Sequence, residues 1–224
     1  MKENYRNDQN AILKGYNMLL YFAGSMIMYE PSEECVVDFW SGDILKALPV
    51  SSRNPRFMKA AAQLRNSCKD KPLCKYMLQN DFNRLFSGSL LAPAVKSIYS
   101  ERQIYAETEN VSDFYNSYGW NYRSRYRFPD DNLGIELLFL TLLTDKYITF
   151  EDEVCRTEMA NEIRRFIDKH LLSWIPDWNL LMQEKSETLC YKGIATLVYA
   201  CVEDIYSLLA PVATDPEFLV TLKN

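Results

Sequence analysis

The chain has 224 residues, with 25 lysines and arginines against 30 aspartates and glutamates, a formal charge of −5. That balance excludes a generic nucleic-acid coat, which needs an excess of phosphate-neutralising cations. With 48% apolar and 25% charged residues, the composition is that of a soluble globular protein rather than a disordered chain.

Glycine (7) and proline (9) are too scarce for the many turns of an all-β fold, so the balance favours helix. Ile12, Tyr16, Leu19, Leu20, Ala23 and Ile27 repeat with helical period. Pro31 ends this helix. Ser32-Glu33-Glu34 starts the next with a cap and first-turn acids, and Val36, Phe39, Trp40 and Ile44 form its face. Asn54-Pro55 opens a third helix running through Cys68. Pro72 opens a fourth, with Leu78, Phe82, Leu85 and Phe86 on one side. Residues 87–109 lack a clean period and carry Gly88 and Pro93, the mark of a functional loop or linker. Leu133 to Leu143 is apolar nearly all round, a central buried helix, with Pro129-Asp130-Asp131-Asn132 supplying its N-cap. Thr149 and Asp152 cap a helix carrying Met159, Ile163, Phe166 and Ile167. The final helix runs from Ile194 to Leu209 and closes at Pro211. The expected fold is all-α, one globular domain of about ten helices. It divides into an N-terminal half (1–86), a hinge or loop (87–109) and a C-terminal half (110–224).

The usual catalytic signatures are absent. There is no GxxxxGK[ST] phosphate loop, no GxGxxG and no HExxH. The single histidine removes most triads and His-rich zinc sites. The chain therefore reads as a non-enzyme without cofactor or metal. None of the cysteines forms a C-x-x-C pair. Cys190 and Cys201 read as small core residues, and a chain of this length needs no disulfide, which fits a reducing cytoplasm. No secretory signal and no apolar run long enough for a membrane span is present. Glu203-Asp204 fall on the polar side of the last helix and read as a solvated face. His170 borders an apolar stripe, as a structural histidine or a partner-binding one. FYNSYGWNYRSRYRF (114–128) interleaves aromatics with Arg123, Arg125 and Arg127. That pattern suits either a helix–loop junction with arginine stems over rings or a single-strand binder, and the acidic chain favours the junction.

Four stretches, in order, resemble one known family. They are DFNRLFSG (81–88), LLAPAVKSIY (90–99), FPDDNLGIELL (128–138) and FIDKHLLSW (166–174) followed by Tyr191-Lys192-Gly193. Together, over about residues 75–210, they resemble the TorD/DmsD family of cytoplasmic chaperones for molybdoenzymes. Phe128 stands where the family pattern has Glu, and Asn132 where it has His; Pro129, Asp131 and Leu133 match. Asn132 can cap a helix but cannot titrate. Ala94 and Val95 stand where the family loop often carries an aromatic residue.

The resemblance implies an all-helical protein that binds the twin-arginine signal peptide or apo-protein of a molybdopterin oxidoreductase of the DMSO or TMAO reductase class. It would hold the client back until its cofactor is inserted, working as a monomer or a domain-swapped dimer with 87–109 as the hinge. No nucleic acid and no stable membrane insertion are implied. A signal peptide brings an apolar stretch and two arginines, and so calls for a hydrophobic groove with acids at its rim. Leu85, Phe86, Pro93, Ile98 and Tyr99 are expected to line that groove, with Asp130, Asp131 and Glu136 facing the guanidinium groups. Gly88, Ser97, Trp120, Pro129, Asn132, His170 and Trp174 complete the expected peptide-binding set. The alternative is a helical scaffold or regulatory interaction protein that keeps the fold without binding a signal peptide.

Overall fold

The computed structural model describes residues 2–36, 48–67, 71–100, 110–122 and 127–211. The expectations resting on Phe39, Trp40, Ile44, Cys68, residues 101–109, Arg123 and Arg125 lie outside these. Helix α1 (Lys2–Met28) and the short α2 (Glu33–Val36) lead to α3 (Pro55–Asn66) and α4 (Lys71–Phe82), which runs on as a π-helical segment, Asn83–Ser87. Short helices α5 (Ser97–Ser100) and α6 (Val111–Ser117) precede α7 (Leu133–Thr149). Helix α8 (Glu153–Phe166) also continues as a π segment, Ile167–Leu172, before α9 (Ile175–Lys185) and α10 (Leu189–Leu208). Among the described residues there is no strand, only an isolated antiparallel bridge between Val95 and Asn132. The all-α expectation stands.

The helix starts follow local chemistry. Asn54, Asn132 and Asp152 each accept a backbone N–H from the first turn of the helix that follows, as their positions in the sequence require. Helix α7 buries residues on every side, from Leu133 and Ile135 to Leu143 and Tyr147, because it is wrapped by α1, α8 and the second π segment. Helix α10 packs against α3, α1 and α9. A continuous hydrophobic cluster runs from Leu13 on α1 to Leu209 after α10 and draws residues from both sides of the 87–109 stretch. Helices α1 and α7 cross where Gly24 meets Gly134; a Cβ on Gly24 would make only an ordinary contact, 3.6 Å from the Gly134 carbonyl oxygen, whereas a Cβ on Gly134 would run into the Met28 side chain.

Two readings are corrected. Glu203-Asp204 are not simply solvated. Asp204 accepts hydrogen bonds from the Tyr16 hydroxyl (2.8 Å), the Ser52 hydroxyl (2.6 Å) and the Asn54 amide (2.9 Å). Glu203 pairs with Arg56 at 3.0 Å. The pair therefore ties α10 to α1 and to the start of α3. Burial, reinforced by Asp204, pushes the Tyr16 hydroxyl well above its usual range. The expectation that no disulfide is needed fails at Cys74, a buried residue of α4 that is disulfide-bonded; the closeness of two Cα atoms that a disulfide demands cannot be read from spacing. Cys190 and Cys201 are free, fully buried core residues, and Cys155 is free and exposed.

Candidate functional site

Residues 88–96 form a strap that leaves the first π segment and crosses to the start of α7. The Leu91 and Ala92 amides donate to the carbonyls of Arg84 (3.0 Å) and Leu85 (3.2 Å), and the Gly88 amide donates to Asn83 (2.6 Å). At the far end the Leu133 amide donates to the Ala94 carbonyl (2.9 Å) and the Lys96 amide to the Asp131 carbonyl (3.0 Å). The Asp131 carboxylate accepts the Ser97 amide at 2.8 Å. The strap is further held by Trp178 Nε1 on the Ala92 carbonyl (3.3 Å), by the Tyr99 hydroxyl on the Pro93 carbonyl (2.9 Å) and by Lys96 Nζ on the Lys169 carbonyl (2.8 Å) in the second π segment. A π turn leaves carbonyls without their α-helical partners; here those of the first segment accept strap amides and Lys169 in the second accepts the Lys96 ammonium.

Within the strap, Leu90 has φ 48°, a left-handed backbone that costs a branched residue about 1–2 kcal/mol. Its side chain is 52% exposed, as is that of Ile98. Such backbone outliers collect at ligand clamps, where surrounding bonds over-determine them.

At the start of α7, the Asn132 side chain accepts the Gly134 amide at 3.0 Å. Asn132→Ala is therefore expected to cost about 1 kcal/mol in a urea unfolding curve; no loss would mean that the strap alone sets the helix start. The Asp130 carboxylate accepts the hydroxyls of Ser112 and Tyr122, and its carbonyl accepts Tyr115 at 2.8 Å. Trp120 lies against Tyr115, Tyr122 and Phe139, with ring centroids 5.0–5.4 Å away. These contacts make 114–122 a helix–loop junction packed onto α7.

Glu136 sits in the first turn of α7, fully buried, and neither carboxylate oxygen has a hydrogen-bond partner among the described residues. Burial pushes its carboxyl well above the usual range; the Lys96 charge opposes this and Asp131 adds to it. The nearby Trp174 indole N–H is the smallest influence, and it is donated to the His170 carbonyl at 2.7 Å. Burial in turn lowers Lys96, against the pull of Glu136 and Asp131.

The structure thus brings together Gly88, Pro93, Ser97, Tyr99, Pro129, Asp130, Asp131, Asn132 and Trp174, and the Tyr99 and Trp174 rings stack at 5.4 Å. Other expected roles are corrected. Leu85 is fully buried in the core and so lines no open groove, while Phe86 is half-buried and packs between Phe82 and Tyr191. Glu136 is too deep to face a guanidinium group, because the first turn of α7 buries it completely. Asp130 and Asp131 are engaged in holding the site together. His170 is buried against Phe114 and Phe166. The reasoning from sequence missed Leu90, whose unusual φ leaves no trace in the residue order. Among the described residues no cluster of His, Cys, Asp and Glu is arranged to hold a metal, and no helix is long and apolar enough to cross a membrane.

Residues 53–179, more than half of the chain, match the protein-family model described as the nitrate reductase delta subunit. A protein of Psychrobacter sp. named Chaperone protein TorD is 29% identical over 133 residues, covering 57% of this chain and 59% of the relative. One of the same name from Aliivibrio salmonicida is 24% identical over 208 residues, covering 88% of this chain and 95% of the relative. The chain thus spans less than two thirds of the first relative and nearly all of the second. The matched region takes in α3 to α8, the strap and the capped start of α7, and on these grounds the chain belongs to the nitrate reductase delta subunit family, in its TorD/DmsD group of chaperones.

Proposed function

We propose that the protein is a maturation chaperone that binds the signal peptide or apo form of a DMSO or TMAO reductase-like molybdoenzyme and assists cofactor insertion before twin-arginine export. Family membership supports the class of client. The observation that carries the reading to a surface is Leu90, exposed and held in a costly backbone conformation on a strap that is bonded at both ends. Leu90 and Ile98 offer apolar side chains to a partner from a rigid mount, which lowers the ordering cost of binding.

Two experiments test this. Affinity capture of the tagged protein from its anaerobically grown host should recover a molybdopterin oxidoreductase precursor. Recovery of none, with the enzymes expressed and the bait folded, would leave the helical scaffold reading in its place. Leu90→Gly should separate stability from function. Relief of the left-handed strain is expected to raise unfolding free energy by about 0.5–1 kcal/mol, while loss of the side chain weakens capture of the apo-enzyme. A variant that is more stable yet binds equally well removes Leu90 from the client surface.

A further inference from the structure

Cys74 stands near the start of α4, buried and disulfide-bonded. Cys155, Cys190 and Cys201 are free. Of the six cysteines in the chain, that leaves Cys35 and Cys68 to supply the second sulfur. Cys35 belongs to α2, and Cys68 precedes Cys74 by six residues. Helix α2 lies against α4. The Gln79 side chain donates to the Pro31 carbonyl at 3.1 Å, and Lys75 pairs with Glu33 at 3.3 Å. From Pro31 to Glu33 the chain thus runs along α4 toward its start, the direction of Cys74. A bond to either cysteine ties the start of α4 to a neighbouring stretch of chain.

That end of α4 is weakly held. Leu73, Tyr76 and Met77 are exposed, Tyr76 to 71%. Among the described side chains of the first two turns, only Cys74 and Leu78 are buried. A half-helix with so few buried side chains opens locally at low cost. Farther on, α4 carries Asp81, which accepts the Thr188 amide at the start of α10, and it continues into the π segment whose Arg84 and Leu85 carbonyls take the strap amides. A bond at Cys74 therefore fixes the loose end of the helix on which the strap is mounted. The free thiols are poorly suited to exchange. Burial, with Asp204 nearby, pushes the Cys201 thiol well up, and a hydrogen bond with Asp152 raises that of the exposed Cys155.

We propose that Cys74 and its partner cysteine form a reversible thiol–disulfide couple that stiffens or frees the start of α4, and with it the mount of the strap, according to the surrounding pool of small thiols. The compartment rests on the chaperone reading above. A protein that acts before export works among reduced glutathione, where disulfides are transient and redox-sensing. Oxidation forms one S–S bond. The two protein thiols give two electrons and two protons to glutathione disulfide, whose S–S bond breaks to release two molecules of glutathione. The exchange passes through a mixed disulfide, and reduction is the reverse.

The test is equilibration of the full chain in buffers of graded glutathione to glutathione disulfide ratio, followed by acid quenching and a maleimide count of thiols. The wild type should lose two thiols as the buffer becomes oxidising and regain them when reduced glutathione is restored. Cys74→Ser should abolish the change. Of Cys35→Ser and Cys68→Ser, the one that abolishes it names the partner. Amide hydrogen exchange at residues 83–92 should be about tenfold slower in the oxidised wild type than in the reduced one. That comparison needs no variant, so it stands even where Cys74→Ser fails to fold. A thiol count that never changes overturns the couple. A disulfide that resists excess reduced glutathione in the folded chain is a permanent staple and overturns the reversibility. Equal exchange at 83–92 in both states overturns the link to the strap. Capture of a molybdoenzyme by a chain whose thiol count is constant sinks this proposal alone; a couple that cycles in a chain that captures none sinks the chaperone reading instead.

Discussion

Replacing Asp81 with alanine is expected to destabilise the protein by about 3–5 kcal/mol, a large share of the stability of a typical domain. Asp81 is fully buried. Its carboxylate accepts the backbone amides of Glu187 (3.1 Å) and Thr188 (2.9 Å) and the Thr188 hydroxyl (2.8 Å), with Arg84 at 3.4 Å. Thr188 is itself the N-cap of α10 and accepts the Tyr191 amide. Removal of the carboxylate strands buried donors at the start of the helix that packs against α3, α1 and α9. Asp81→Asn keeps one accepting oxygen and should lose less. Urea unfolding followed by circular dichroism measures both. A loss below about 1 kcal/mol for the alanine variant would mean that α10 starts without help from α4.

Glu136→Gln is expected to stabilise the protein near neutral pH and to flatten one component of its pH dependence. The carboxyl of Glu136 is held well above its ordinary value of 4.5 by burial. The native state therefore keeps this proton after the unfolded state has released it. Its contribution is complete below pH 4.5 and is lost as pH rises toward the elevated native value. The loss is at most about 1.4 kcal/mol per pH unit. Lys96 works the other way: lowered by burial, it adds stability as pH climbs toward its ordinary 10.5. Because Glu136 supports the Lys96 charge, the two are read by difference. Wild type minus Glu136→Gln should fall with rising pH from about 4.5 upward. A difference that stays flat across that window would show that Glu136 ionises in the fold as freely as in the unfolded chain.

Helix starts and burial patterns were legible because they depend on neighbours in the chain. Asn54, Asn132 and Asp152 cap as their positions demand, and the all-round apolar run at α7 is buried as its composition requires. What depends on distant residues was not legible. Glu203-Asp204 look solvated by helical period alone, yet the partners of Asp204 arrive from α1 and the start of α3, 188 and 152 residues earlier. Glu136 was expected at the rim of a groove, facing guanidinium groups; only the packing around α7 shows that it is sealed in. The sequence resemblance picked out most of the residues that meet around the strap, but it assigned to binding several, Leu85, Glu136 and His170 among them, that the packing assigns to the core.

The π segments also restrict how the chain lengths on either side can vary. A π turn is an α-helix that has absorbed an extra residue without disturbing the turns before it. Losing that residue from Ile167–Leu172 would swing Trp174 and all of α9 by about 100° relative to α8. It would also withdraw Lys169 from Lys96. The same holds at Asn83–Ser87 for Arg84 and Leu85, which receive the strap amides. Residue count in these two helices is thereby tied to the strap they hold, so a one-residue deletion in either segment is expected to disrupt the strap's anchoring.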